Sequence, residues 1–256
     1  MEVKLVSVTE NPEKTIAYIA RVSNPENQDN PDYVKLIKYL LRNGHFSPFE
    51  HAFMTFEITT SMAIGEQLLR HRSFTFQKFS GRYSQFTEFE PIEIRRQAVK
   101  NRQSSLDVFD PMVDNPMSPF FRYDGNNMVM TQEKASEVIE TALRKMKAVY
   151  FALIDAGVAK EQARFVLPAA TQTTMYMTGS IRSWIHYIEL RDTDHVQKEH
   201  RLITQQIRGI FNEYLPTVAE ALAQLQKEKE DKEYLWKLLK SDGYVNVDDF
   251  KKERNI

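Results

Sequence analysis

The segment RHRSFTFQKFSGRYS, residues 70–84, gathers five cationic side chains, four aromatic rings and four Ser or Thr hydroxyls. Guanidinium forks beside hydroxyl donors suit phosphate oxygens, because arginine can hold them bidentately. Taken alone, Arg70, His71 and Arg72 also fit the end of a helix, where cations complement the macrodipole. The continuation through Ser80, Arg82, Tyr83 and Ser84, with no acid before Glu88, is what turns the segment toward an anion. Phe74, Phe76 and Phe79 read first as core residues and otherwise as flanks of a planar ring. A basic stretch with interleaved aromatics also suits single-stranded RNA, so an RNA-binding module is the competing reading.

Further candidates lie far off in sequence: His45 and His51 around Pro48, Arg164 before Pro168, and Arg182, His186 and Arg191 within IRSWIHYIELR. Six histidines raise the question of a metal, yet no HExxH occurs and His45 with His51 lacks a third ligand at a recognised spacing. No GxGxxG follows a strand and no GxxxxGK[ST] is present, so any phosphate must be held by side chains. Cysteine is absent, which removes disulfides, thiolate metal sites and every mechanism built on a cysteine nucleophile. Lys and Arg total 34 against 35 Asp and Glu, so no whole-molecule attraction to nucleic acid or an acidic membrane is expected. No apolar run approaches a bilayer span of about 20 residues, and MEVKLVSVTENPEK lacks the layout of a signal peptide, so the expected location is the cytoplasm.

The elements that must position these residues alternate between strand and helix. VKLVSV and AFMTFEITT alternate as strands, and TTMYMTGS reads as a third. Asn11-Pro12 and Asn30-Pro31 open helices, the second carrying Val34, Ile37, Leu40 and Leu41 to a stop at Gly44. SMAIGEQLLRHR reads as a helix whose last turn holds Arg70, His71 and Arg72. Residues 101–130 hold three prolines and no sustained period, and so read as a long surface insertion. A helix spans about 131–156, and EQARFVLP is a short one. Ser180 caps IRSWIHYIELR, with Ile181, Trp184, Ile185 and Ile188 inward and Arg182, His186 and Glu189 outward. Helices over about 195–214 and beyond follow, and from Gln226 charge dominates as on a solvated terminal helix. The expected fold is α/β of the α+β type. It is a single mixed domain over 1–225 with a small, mostly antiparallel sheet surrounded by long helices, followed by a charged extension over 226–256.

Arg70-His71-Arg72, seven residues and then Ser80 match the RHRx7S signature of the flavin-dependent thymidylate synthases, and GRYS continues as that family does. ARVS (20–23), GHFSPFEH (44–51), Gln67, ARFVLP (163–168) and RSWIHYIELRDTDHVQ (182–197) resemble family blocks in the same order, covering about residues 3–225. The resemblance implies the thymidylate synthase-complementing fold and a homotetramer with FAD in active sites between subunits. It implies conversion of dUMP to dTMP, with methylenetetrahydrofolate giving the carbon and NADPH the reducing equivalents. No nucleic acid or membrane partner is implied. The missing thiol then acquires a chemical meaning, since classical thymidylate synthase adds a cysteine to the uracil ring.

Carried over by position, Gln67, Arg70, Ser80, Gly81, Arg82, Arg164 and Arg191 resemble dUMP contacts, with Arg191 the group that polarises the uracil. Ser23, Ser47, Arg70, His71, Arg72, Lys78, Ser80, Ser180, Arg182 and His186 resemble positions around FAD, and His45 lies near the folate and flavin rings. Gln77-Lys78 stands where many members carry Asn-Glu, a cation in place of a carboxylate. Ser180 and His186 stand where some members have Asn; each can still donate a hydrogen bond. The 101–130 insertion and the charged tail have no counterpart in the resemblance.

Overall fold

The computed structural model describes residues 1–100, 105–125 and 127–241. In chain order β1 (Glu2–Val8), α1 (Pro12–Ala20), α2 (Val34–Arg42), β2 (Phe53–Ser61), α3 (Met62–Leu68) and β3 (Thr75–Lys78) come first. Short strands follow: β4 (Arg95–Gln97), β5 (Ser105–Val108), β6 (Met112–Asp114), β7 (Phe121–Asp124), β8 (Asn127–Met130) and β9 (Gln132–Lys134). The chain continues with α4 (Ala135–Asp155), α5 (Lys160–Ala163), β10 (Gln172–Ser180), α6 (Ile181–Arg191), α7 (Lys198–Tyr214) and α8 (Pro216–Ser241). Internal contacts divide it into two compact units, residues 1–9 with 53–209, and residues 10–52 with the chain from 210 onward.

The first unit is built on a sheet of order β1-β2-β10-β3 in which every neighbour is antiparallel. Alternation in β2 and β10 turns Met54, Phe56, Ile58, Met175 and Met177 into the core, where each is fully buried. The opposite face is a polar ladder: Thr55 with Thr178 (3.0 Å), the Tyr176 hydroxyl donating to Glu57 (2.7 Å), and Thr59 with Thr174 (3.1 Å). α6 closes the inner face through Trp184, whose indole N–H donates to the Met54 carbonyl (3.1 Å) and whose ring meets Phe56 edge-on. Ser180 caps α6 as its sequence suggests, its Oγ accepting the Ser183 amide (3.2 Å).

The described part of 101–130, read from the sequence as a surface insertion without a sustained period, carries short strands. β4 pairs with β5, β6 with β9 and β7 with β8 as small antiparallel ribbons. Both faces of β5 and β7 are exposed, so their residues carry no buried-and-solvated alternation to read.

In the second unit α1 packs on α2 and on the 3-10 turn Ser47–His51, and α2 packs on α8. Ile16, Ile37, Leu41, Phe49, Phe211 and Val218 form its buried core. The Glu13 carboxylate, itself buried, accepts the Val218 amide at the start of α8 (2.9 Å), satisfying a donor that the helix cannot. The helix expected from Pro31 begins instead at Val34. The Asn30 side chain first takes the Asp32 amide (2.9 Å), while Arg21 donates to the carbonyls of Asn30 and Asp32, holding this stretch as a turn. α8 runs without a break past position 226, with exposed side chains over 226–235; residues 242–256 of the expected charged extension lie outside the described residues. Among the described residues no helix is long and apolar enough to cross a membrane.

Candidate active site

α3 ends at Leu68, so Arg70, His71 and Arg72 do not occupy its last turn as the sequence suggests. They sit on tight turns, the His71 amide donating to Leu68 O (3.1 Å) and the Phe74 amide to His71 O (3.2 Å). The cause is Phe74. Its ring leaves the surface to pack against Trp184, centroids 4.5 Å apart, which brings the chain down into β3. Gly179 on β10 makes room, because a Cβ there would lie 2.4 Å from the Phe74 ring. The turn thus presents Arg70 and Arg72 to solvent and leaves His71 half-buried.

His71 accepts a hydrogen bond at Nε2 from Nε of Arg191, the last residue of α6 (3.0 Å). Burial, then the charges of Arg191, His186 and Arg70, push its pKa down to about 4. That shift has a structural use, since only a neutral imidazole can accept the Arg191 N–H. The bond takes Nε alone; the two terminal nitrogens of Arg191 make no hydrogen bond among the described residues. Arg182 and His186 are exposed on the same outward face of α6, with Glu189 the acid beside them. Ser183 Oγ donates to the Ser73 carbonyl (3.3 Å), tying the start of α6 to the turn.

Beneath His71 lies a polar set in which Gln67 alone was a candidate from the sequence. The Tyr187 ring meets His71 edge-on (4.9 Å), and its hydroxyl is 3.0 Å from Nε2 of His200. His200 Nδ1 is 3.2 Å from Oε1 of Gln67, whose Nε2 donates to Gln197 Oε1 (2.7 Å). Tyr187 and His200 are fully buried. Burial drives the Tyr187 hydroxyl pKa well above its usual value, and burial followed by the Arg191 and His71 charges lowers His200 to about 4. One signal was available in the sequence: His200 and Thr204 interrupt the stripe Ile203, Ile207, Phe211 of α7.

Arg82 and Arg164 meet at α5 in a second cluster. Arg82 Nε pairs with the Glu161 carboxylate (3.2 Å) and Arg164 Nε donates to the Glu161 carbonyl (3.3 Å). Ser80 O accepts the amides of Tyr83 and Ser84 (3.1 and 3.0 Å), closing the turn that carries Gly81 and Arg82. Gly81 is required there, because a Cβ would lie 2.1 Å from the buried Phe86 ring. Lys78 pairs with Glu66 of α3 (2.7 Å), so the cation standing at the family's acidic position brings its own counter-charge. Ser180 is buried, its Oγ accepting the Ser183 amide.

Three candidates belong to the second unit. Ser23 lines an open cavity of about 440 Å³ with Arg21, Asn24, Asn30 and Lys35. Ser47 is exposed at the start of its 3-10 turn, and the exposed His45 ring packs edge-on against Tyr39 (5.9 Å).

The donor set of the first unit suits an anionic dinucleotide. Exposed guanidinium and imidazole groups of Arg70, Arg72, Arg182 and His186 match pyrophosphate oxygens without a glycine loop. Of the aromatic residues in the motif, Phe74 is buried and Phe79 packs on Phe86 (5.1 Å), while Tyr83 stays exposed.

Residues 4–217 match the family described as thymidylate synthase complementing protein. A flavin-dependent thymidylate synthase of Synechocystis sp. is 47% identical over 232 residues, covering 87% of this chain and 99% of that protein. A probable flavin-dependent thymidylate synthase of Paramecium bursaria Chlorella virus 1 is 42% identical over 231 residues, again covering 87% and 99%. The crystal structure of a UMP/dUMP methylase PolB from Streptomyces cacaoi bound with 5-Br dUMP aligns with a TM-score of 0.66 at 26% identity, covering 87% of this chain and 94% of that one.

Proposed function

Because the chain belongs to the thymidylate synthase complementing protein family, we propose that the cluster around His71 and Arg191 is the catalytic centre of a flavin-dependent thymidylate synthase. The activity is methylation of dUMP to dTMP, with FAD as cofactor. We further assign methylenetetrahydrofolate as carbon donor, NADPH as reductant, a homotetrameric assembly and a cytoplasmic location, all on the resemblance of the sequence blocks.

One observation carries the catalytic assignment: Arg191 is held through Nε by a neutral His71 at 3.0 Å, with its terminal nitrogens left for a ligand. Placed beside N3 and a ring carbonyl of uracil, that guanidinium stabilises the negative charge that develops as the ring is activated. The protein has no thiol to add to the ring, so activation rests on charge. Bound FAD supplies hydride chemistry. Arg70, Arg72, Arg182 and His186 hold its anionic parts; Ser80, Ser180 and Lys78, and Ser23, Ser47 and His45 of the second unit, are assigned to the cofactor or folate on the resemblance alone. Gln67 is assigned to dUMP on the resemblance, and we place its amide at the pyrimidine edge. Ser80, Gly81, Arg82 and Arg164 receive the dUMP phosphate, which displaces Glu161 as the partner of Arg82.

Purified protein should be yellow, bleach with NADPH, and form dTMP only when dUMP and methylenetetrahydrofolate are both present. A colourless protein retained on single-stranded RNA, with binding that falls steeply as salt rises, would contradict this function.

A further inference from the structure

We propose that Thr204, Tyr187 and His200 form a one-way hydrogen-bond relay that fixes which way round the Gln67 amide is held, making them positioning residues for pyrimidine recognition. The inference rests on the reading of Gln67 as a dUMP contact.

Direction follows from donor and acceptor chemistry. The Gln67 Oε1 can only accept, so the proton of a neutral His200 must sit on Nδ1, 3.2 Å away. Nε2 is then a bare acceptor, and the Tyr187 hydroxyl at 3.0 Å must donate into it. The Tyr187 oxygen is left to accept from Thr204 Oγ1 (3.2 Å), which shares its proton with the His200 carbonyl one turn back (3.1 Å). At the far end Gln67 Nε2 donates to Gln197 (2.7 Å). Every bond points the same way, from Thr204 through Tyr187, His200 and Gln67 to Gln197. Burial of His200, with Arg191 and His71 as the charges acting on it, keeps the ring neutral and the relay intact near neutral pH.

Reversing one bond reverses the rest. A proton on Nε2 instead of Nδ1 requires the Gln67 and Gln197 amides to turn over. In the held state Gln67 keeps a second amide N–H and a second carbonyl lone pair at fixed positions, and turning the amide exchanges them. Uracil presents an N3–H donor beside carbonyl acceptors, whereas cytosine presents an N3 acceptor beside an amino donor. A locked amide therefore distinguishes the two rings, and an unlocked one accommodates both.

The test uses FAD-loaded protein. Nitrogen-15 NMR should find His200 with its proton on Nδ1. Tyr187→Phe should shift that proton toward Nε2, weaken dUMP binding by calorimetry about 3- to 10-fold, and narrow the preference for dUMP over dCMP. His200→Asn, which keeps an N–H where Nδ1–H stands, should retain more dUMP affinity and selectivity than His200→Leu. A wild-type His200 carrying its proton on Nε2, or a folded Tyr187→Phe protein with unchanged affinity and selectivity, overturns the relay. Gln67→Ala separates the two levels. If that variant binds dUMP normally, the underlying reading of Gln67 fails and the relay with it; if it binds weakly while Tyr187→Phe is unaffected, the relay alone fails.

Discussion

At the scale of single residues, the site depends on imidazoles kept neutral. His71 and His200 both have pKa values near 4 in the folded chain, lowered chiefly by burial and then by Arg191 among other charges. Unfolded histidine titrates near 6.5, so the folded state binds fewer protons than the unfolded state over the interval between. Their contribution to stability is complete above about pH 6.5 and is lost as pH falls toward 4. Thermal unfolding followed from pH 7 to pH 4 should show the midpoint falling, with a shallower fall in His200→Asn, which has one less group to protonate. An unchanged slope in that variant would remove His200 from the titrating set. Residues differed in how far their sequence disclosed them. The charged candidates Arg70, Arg82, Arg164 and Arg191 are visible because their types and the family blocks mark them. Tyr187 and His200 were not, because each reads as an ordinary helix residue until packing brings their polar atoms within 3.0 Å. The counter-charge of Lys78 was hidden in the same way, since Glu66 becomes its partner only once α3 and β3 fold beside each other.

At the scale of elements, α6 was largely legible: its capping serine, the buried Ile181, Trp184 and Ile185 and the exposed Arg182, His186 and Glu189 occur where expected, while Ile188 is only half-buried and Tyr187 is buried in its place. β3 was not. Its four residues fall inside the motif and become a strand only by pairing with β10. The turn before it depends on Phe74 lying over Gly179, a long-range contact that no local pattern contains. Replacing Gly179 by alanine places a Cβ 2.4 Å from that ring, so Gly179→Ala should cost about 1–3 kcal/mol of stability as an overpacked core site. Because the Phe74 amide is bonded to His71 O, the same change should also lower turnover by disturbing the His71–Arg191 pair. Denaturant titration and steady-state rates on one preparation test both. Wild-type stability in Gly179→Ala would mean that the ring relaxes freely and does not set the turn.

At the scale of the whole molecule, the catalytic candidate Arg191 lies in the first compact unit, and binding candidates occur in both. On the proposed function, a chain without cysteine activates uracil through the charge of Arg191, held in place by His71. The most direct measurement compares dTMP formation by wild type and Arg191→Ala, with visible absorbance reporting bound FAD in each. Arg191→Ala should stay yellow but form dTMP at least about 100-fold more slowly, the scale expected when a principal electrostatic stabiliser is removed. Near-normal turnover by the flavin-loaded variant would contradict the proposed role of Arg191.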